Sequence, residues 1–143
     1  MCVRWYLALA LTLFSSVCLK GDELSEELSR FQGHWIIQHA ERDGKTLDET
    51  QRQGIHVSID GTMFKIESKE GDEEATIKLL VAGKIGKLDL LPKDDPKAPA
   101  CAIYKFEGPE LTICWTRSGG KRPQDFTTSP AQAIRLFVLK KHK

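Results

Sequence analysis

Between residues 55 and 67 apolar and polar side chains alternate on both sides of an Asp-Gly pair, which leaves few ways to fold. Ile55, Val57 and Ile59 alternate with His56 and Ser58; Asp60-Gly61 follows; Phe64 and Ile66 then alternate with Lys65 and Glu67. A period of two is the repeat of a half-buried strand. Asp-Gly between two such runs is the strongest local signal for a hairpin, because a type I′ turn needs positive φ at both central residues. A two-residue loop there pairs Ile59 with Thr62, Val57 with Phe64 and Ile55 with Ile66, so apolar faces meet. The pattern recurs. A turn at Gly83-Lys84 pairs Leu79 with Leu88 and Ile77 with Leu90, with Lys78 across from Asp89 on the other face. A turn at Gly108-Pro109 pairs Phe106 with Leu111, Tyr104 with Ile113 and Ala102 with Trp115. Residues 69–73 fit the loop of a fourth hairpin.

Strands are predicted over 34–42, 54–59, 62–69, 74–81, 85–91, 100–106, 110–117 and 133–140. Before them, Leu24, Leu28 and Phe31 lie at i, i+4 and i+7, one helical stripe, with Asp22 placed to cap its start and Gly33 to end it. The joints are short and no βαβ spacing occurs, so the expected fold is all-β: an eight-stranded antiparallel up-and-down barrel with a short N-terminal helix. Closure removes the two exposed edges of such a meander. Two connections break the rhythm. Residues 92–99 read as a solvated loop. Residues 118–132 are long for a loop, a length often associated with function; Phe126 alternatively holds them as a strap across a barrel end.

The first residues differ in kind. Arg4 precedes an apolar run over 5–17, closed by Lys20, Gly21, Asp22 and Glu23. That is the layout of a secretory signal, and it is short for a membrane span, which needs about 20 apolar residues. Cleavage after Cys18 gives a signal over 1–18 and one domain over 19–143. A second reading makes Cys18 a lipid-carrying N-terminus, although Val17 suits that pattern poorly. No later run is long enough to span a bilayer, so an exported, periplasmic or extracellular domain is expected. The chain has no asparagine and so no N-linked glycosylation site. With 21 Lys plus Arg against 20 Asp plus Glu there is no basic stripe of the kind nucleic-acid binders carry.

Gly33-His34-Trp35, opening the first strand straight after a helix, resembles the Gly-x-Trp signature of lipocalins and related calycins. That resemblance implies that Trp35 closes one barrel end under a late basic residue, for which Arg135 is the candidate through a cation–π contact. Phe31-Gln32-Gly33-His34-Trp35, Asp43-Gly44-Lys45, Ile103-Tyr104, Leu111-Thr112-Ile113-Cys114 and Arg122-Pro123-Gln124-Asp125-Phe126 follow in order. Together they resemble a domain family abundant in Planctomycetes, with a Leu-Gln-Gly-x-Trp start and an Arg-Pro-x-x-Phe late loop. This chain departs from that start in having Phe31 for leucine. The resemblance implies an exported lipocalin-like barrel and carries no activity.

An eight-stranded barrel is just wide enough to be filled by its own side chains or to hold one small ligand. The inward set is Trp35, Ile37, Val57, Phe64, Ile66, Ile77, Leu79, Leu88, Leu90, Tyr104, Phe106, Ile113 and Trp115. It forms either an apolar pocket oriented by Tyr104 or a packed core. Arg122, beside Pro123, either binds an anion or pairs with Asp125 to brace the loop around Phe126. His34 and His39 are five apart in one strand and face opposite sides, so no metal site is expected. Glu73-Glu74 and Asp94-Asp95 are adjacent loop residues rather than a positioned acid–base pair. Gly119-Gly120-Lys121 lacks the spacing of a phosphate loop. No enzyme and no cofactor are expected. Cys101 and Cys114 are diagonal in the inferred hairpin, beyond the usual reach of a disulfide, so both thiols are expected to be free unless a bulge brings them opposite. Two functions stand: a carrier of a small hydrophobic ligand inside the barrel, or a protein-interaction or inhibitor module using the outer face and the 118–132 loop.

Overall fold

The computed structural model describes residues 20–142, so the expected signal over 1–18 lies outside the described residues. Helix α1 (Lys20–Phe31) leads into β1 (Gly33–Arg42), a short β2 (Lys45–Thr46), α2 (Glu49–Gln53), β3 (His56–Asp60) and β4 (Met63–Glu67). The chain continues through β5 (Glu73–Val81), β6 (Gly86–Pro92), β7 (Ala100–Glu107), β8 (Glu110–Thr116) and β9 (Ile134–Lys141). Every neighbouring pair is antiparallel, and β9 returns to pair with β1. The eight strands β1 and β3–β9 thus form a closed barrel, with β2 hydrogen-bonded to β1 beyond it.

In β7–β8 the register matches the turn arithmetic, Tyr104 facing Ile113 and Ala102 facing Trp115. In β5–β6 Ile77 faces Leu90 and Leu79 faces Leu88 as expected, but a register shift then pairs Val81 with Lys87. The expected two-residue turn at Gly83-Lys84 thus gives way to a longer tip. The β3–β4 hairpin differs. Val57 pairs with Ile66 and Ile59 with Phe64, a slide of two residues that leaves every face unchanged. Its two loop residues are Gly61 and Thr62, and glycine with φ +60° stands first, where a type II′ turn needs it. Gln32 sets this position. Its side-chain amide donates to Gly61 O at 2.8 Å, and its carbonyl oxygen accepts from Gly61 N at 2.7 Å.

Helix α1 has Asp22 and Glu23 in its first turn and Arg30 in its last, charges that suit the helix dipole. Its inner stripe includes Phe31, fully buried and edge-on to Tyr104 at 4.8 Å and to Phe106 at 5.0 Å. Trp35 Nε1 donates to Phe31 O at 2.8 Å. The helix end therefore plugs one barrel end with aromatic rings. Farther along, Trp115 stands edge-on to Phe137 at 4.9 Å and to Phe64 at 6.2 Å. All the expected inward residues lie in this one core, with Leu79 and Phe106 half-buried at its margin.

Candidate functional site: the open end of the barrel

The β1–β9 register separates the two ends. Trp35 pairs with Lys141 at the plugged end and Arg42 with Arg135 at the other. Arg135 is therefore not the cation over Trp35. That place belongs to Lys141, whose Nζ lies 5.2 Å from the indole. The basic residue over Trp35 thus stands at the opposite end of β9 from Arg135.

Arg135 shares its strand face with Phe137 and Leu139, and so points into the open end. Its Nη1 donates to both carboxylate oxygens of Glu73, at 3.1 and 2.9 Å. Around the ring β5 and β9 are four strands apart in either direction, so this ion pair crosses the mouth at its full width. It separates two cavities of about 430 and 480 Å3, both lined by Arg42, Ile66, Asp72, Glu73 and Arg135. The first has Phe64, Leu90, Ala100 and Trp115 as its apolar side, and the second has Leu47, Ile55 and Phe137. An exposed pair of this kind is worth about 0–1 kcal/mol, so it yields readily to a competing group.

On one side of the mouth β1 pairs with β3 through only Gly33, His34 and Trp35. Beyond that, residues 43–55 fill the seam. Helix α2 is capped by Asp48, whose Oδ1 accepts from Gln51 N at 2.8 Å while Gln51 Oε1 accepts from Asp48 N at 3.0 Å. Sequence reading missed this element, although Asp-x-x-Gln is a capping-box signature.

Of the expected pocket residues, Phe64, Ile66, Leu90 and Trp115 line the mouth. Tyr104 does not. Its hydroxyl donates to Glu27 Oε1 at 3.0 Å and lies 3.4 Å from Val81 O, at the plugged end. Burial, then the Glu27 carboxylate and the hydrogen bond to it, push the phenol well above its ordinary range. Arg30 completes the group through Glu27 at 3.1 Å, with its guanidinium 4.1 Å from the Phe106 ring centre.

The 118–132 loop crosses the outer wall rather than a barrel end. Arg122 braces it, with Asp89 in place of the expected Asp125: Nη2 donates to Asp89 Oδ1 at 2.6 Å, and Nη1 to Leu88 O and Ala102 O, both at 2.7 Å. Pro123 is buried in the same strap. Phe126 packs on an outer apolar cluster of Ile103, Cys114, Ile134 and Leu136, under Lys105 Nζ at 4.9 Å. Both Cys101 and Cys114 are free thiols, and Cys114 faces Ile103 as expected.

Burial, then the carboxylates of Asp125 and Glu41, push the Cys114 thiol up to about 12. At pH 8 the thiolate is therefore scarce, and iodoacetamide is expected to label half-buried Cys101 first. Arg122→Ala removes charge-assisted hydrogen bonds worth about 2 kcal/mol in all, which is roughly thirtyfold in the population of the opened strap. Cys114 should then alkylate about thirty times faster. An unchanged rate would mean that Phe126 alone holds the strap.

No helix among the described residues is long and apolar enough to cross a membrane. No family model, curated protein or solved structure matches this chain.

Proposed function

We propose that this chain is an exported, non-catalytic binding domain that takes a small amphipathic molecule at the open end of its barrel. The observation that carries the reading is the Glu73–Arg135 pair set across an apolar floor of Phe64, Ile66 and Trp115. Ligand sites commonly combine apolar walls with a few oriented polar groups in roughly 300–1,000 Å3. The apolar body rests on the floor, and the polar end meets Glu73 or Arg135, whose weak mutual pair leaves either free to exchange. The deeper barrel, filled by Phe31, Tyr104 and Phe106, serves as the rigid base. Export is supported by the apolar run over 5–17 behind Arg4. The resemblance to the Planctomycetes domain family supports the same reading of barrel and export, on the motifs quoted above.

Native mass spectrometry of the protein purified gently from its source tests this. A bound small molecule is expected that departs on denaturation, and Ala75→Trp, which fills the mouth, should abolish it. A clean apo mass that stays apo with dodecanoate and with dodecyltrimethylammonium would overturn the reading.

A further inference from the structure

The plugged end carries a feature that the mouth does not use. Residues 78–87 read Lys-Leu-Leu-Val-Ala-Gly-Lys-Ile-Gly-Lys, three lysines and no acidic residue in a chain of net charge +1. In the structure this segment is the β5–β6 hairpin tip. A register shift between Leu79 and Val81 breaks the alternation there, so that two consecutive apolar residues face outward. Leu80 is 39% exposed, Val81 47% and Ile85 53%. Lys78, Lys84 and Lys87 are exposed around them. Three large apolar side chains on one hairpin tip, whose own charged residues are all basic, mark an interaction surface rather than scattered exposure.

The geometry points to an anionic lipid surface as the partner: the β5–β6 tip seats Leu80, Val81 and Ile85 among the acyl chains while Lys78, Lys84 and Lys87 meet the headgroup phosphates. Basic residues flanking an exposed apolar group fit the two parts of a lipid interface. Charge complementarity decides the occupant: every charged side chain of residues 78–87 is basic and exposed. Helix α1 packs beside the tip, since Tyr104 joins Glu27 of the helix to Val81 of the hairpin. The mouth, at the other end, opens to water.

The test uses the protein as an expressing cell exports it, with vesicles of phosphatidylcholine and phosphatidylglycerol. In an Ile85→Trp variant the added indole is expected to shift to the blue on binding and to be quenched by brominated lipid. The triple variant Leu80→Ser, Val81→Ser, Ile85→Ser, with its thermal melt unchanged, should bind at least tenfold more weakly. Lys84→Glu should weaken binding to anionic vesicles and leave the slight binding to pure phosphatidylcholine as it was. Equal binding by the triple variant, or an indole that bound vesicles leave unchanged, would overturn the proposal. So would a dimer in solution that the triple variant abolishes, in the absence of vesicle binding, because the tip would then be a surface for a second copy.

Discussion

Replacing Phe31 by alanine is expected to lower stability by about 3–5 kcal/mol, the range for removing a buried aromatic ring. Phe31 has no exposed surface and is the only side chain of α1 that meets both Tyr104 and Phe106 edge-on. Its loss opens a void at the plugged end that neither ring fills without leaving its partners. Tyr104 is held by Glu27, and Phe106 lies under Arg30. Since domains of this size have only about 5–15 kcal/mol in hand, such a loss is large. Denaturant unfolding measures it, and amide exchange across 22–31 locates it. A change below about 1 kcal/mol would make α1 an appendage instead of part of the core.

A methyl group at Gly86 is expected to cost about 3 kcal/mol, at the upper end of what overpacking does. Gly86 is buried, pairs with Tyr104 across β6–β7, and lies directly beneath the phenol ring; a Cβ built on it would fall inside the ring carbons. Its φ is not in the left-handed region, so the penalty is steric and not one of backbone strain. A glycine within a strand often marks such a close approach. The ring cannot swing aside without breaking its contact with Glu27, which is buried and paired with Arg30. A double-mutant cycle isolates the clash: in a Tyr104→Leu background, Gly86→Ala should cost under about 1 kcal/mol. An equal cost in both backgrounds would place the strain elsewhere.

Particular residues show how far the sequence could be read. Alternation placed Val57, Phe64, Ile77, Leu88, Ile113 and Trp115 inward, because the period of two is a local property of strands. The same property could not separate the two registers of the β3–β4 hairpin, which differ by two residues and have identical faces. What decides between them is Gln32, twenty-nine residues before Gly61 in the chain, holding the turn by both of its amide atoms. Arg122 was legible as a brace but its partner was not, since Asp89 comes beside it only when the strap lies along β6 and β7. The outer cluster under Phe126 was hidden for a related reason. Ile103, Cys114 and Leu136 make the β7–β9 strands apolar on both faces, and continuous apolar runs carry no alternation to read. The ion pair across the mouth joins residues 73 and 135, whose meeting depends on closure of the whole ring.

That closure also bears on the order in which the protein folds. The seam between β1 and β9 is the longest pairing of the first strand, running from Trp35 opposite Lys141 to Arg42 opposite Arg135. Contacts so distant in sequence carry a large loop-closure entropy and form slowly. The hairpins β3–β4, β5–β6 and β7–β8 can assemble early and locally, but β1 keeps an unpaired side until the last strand is available. A chain built this way remains an open, threadable meander for as long as its C-terminal residues are held back. It gains a finished barrel only when residues 134–141 arrive, so its last strand, and not its first, decides when the fold is complete.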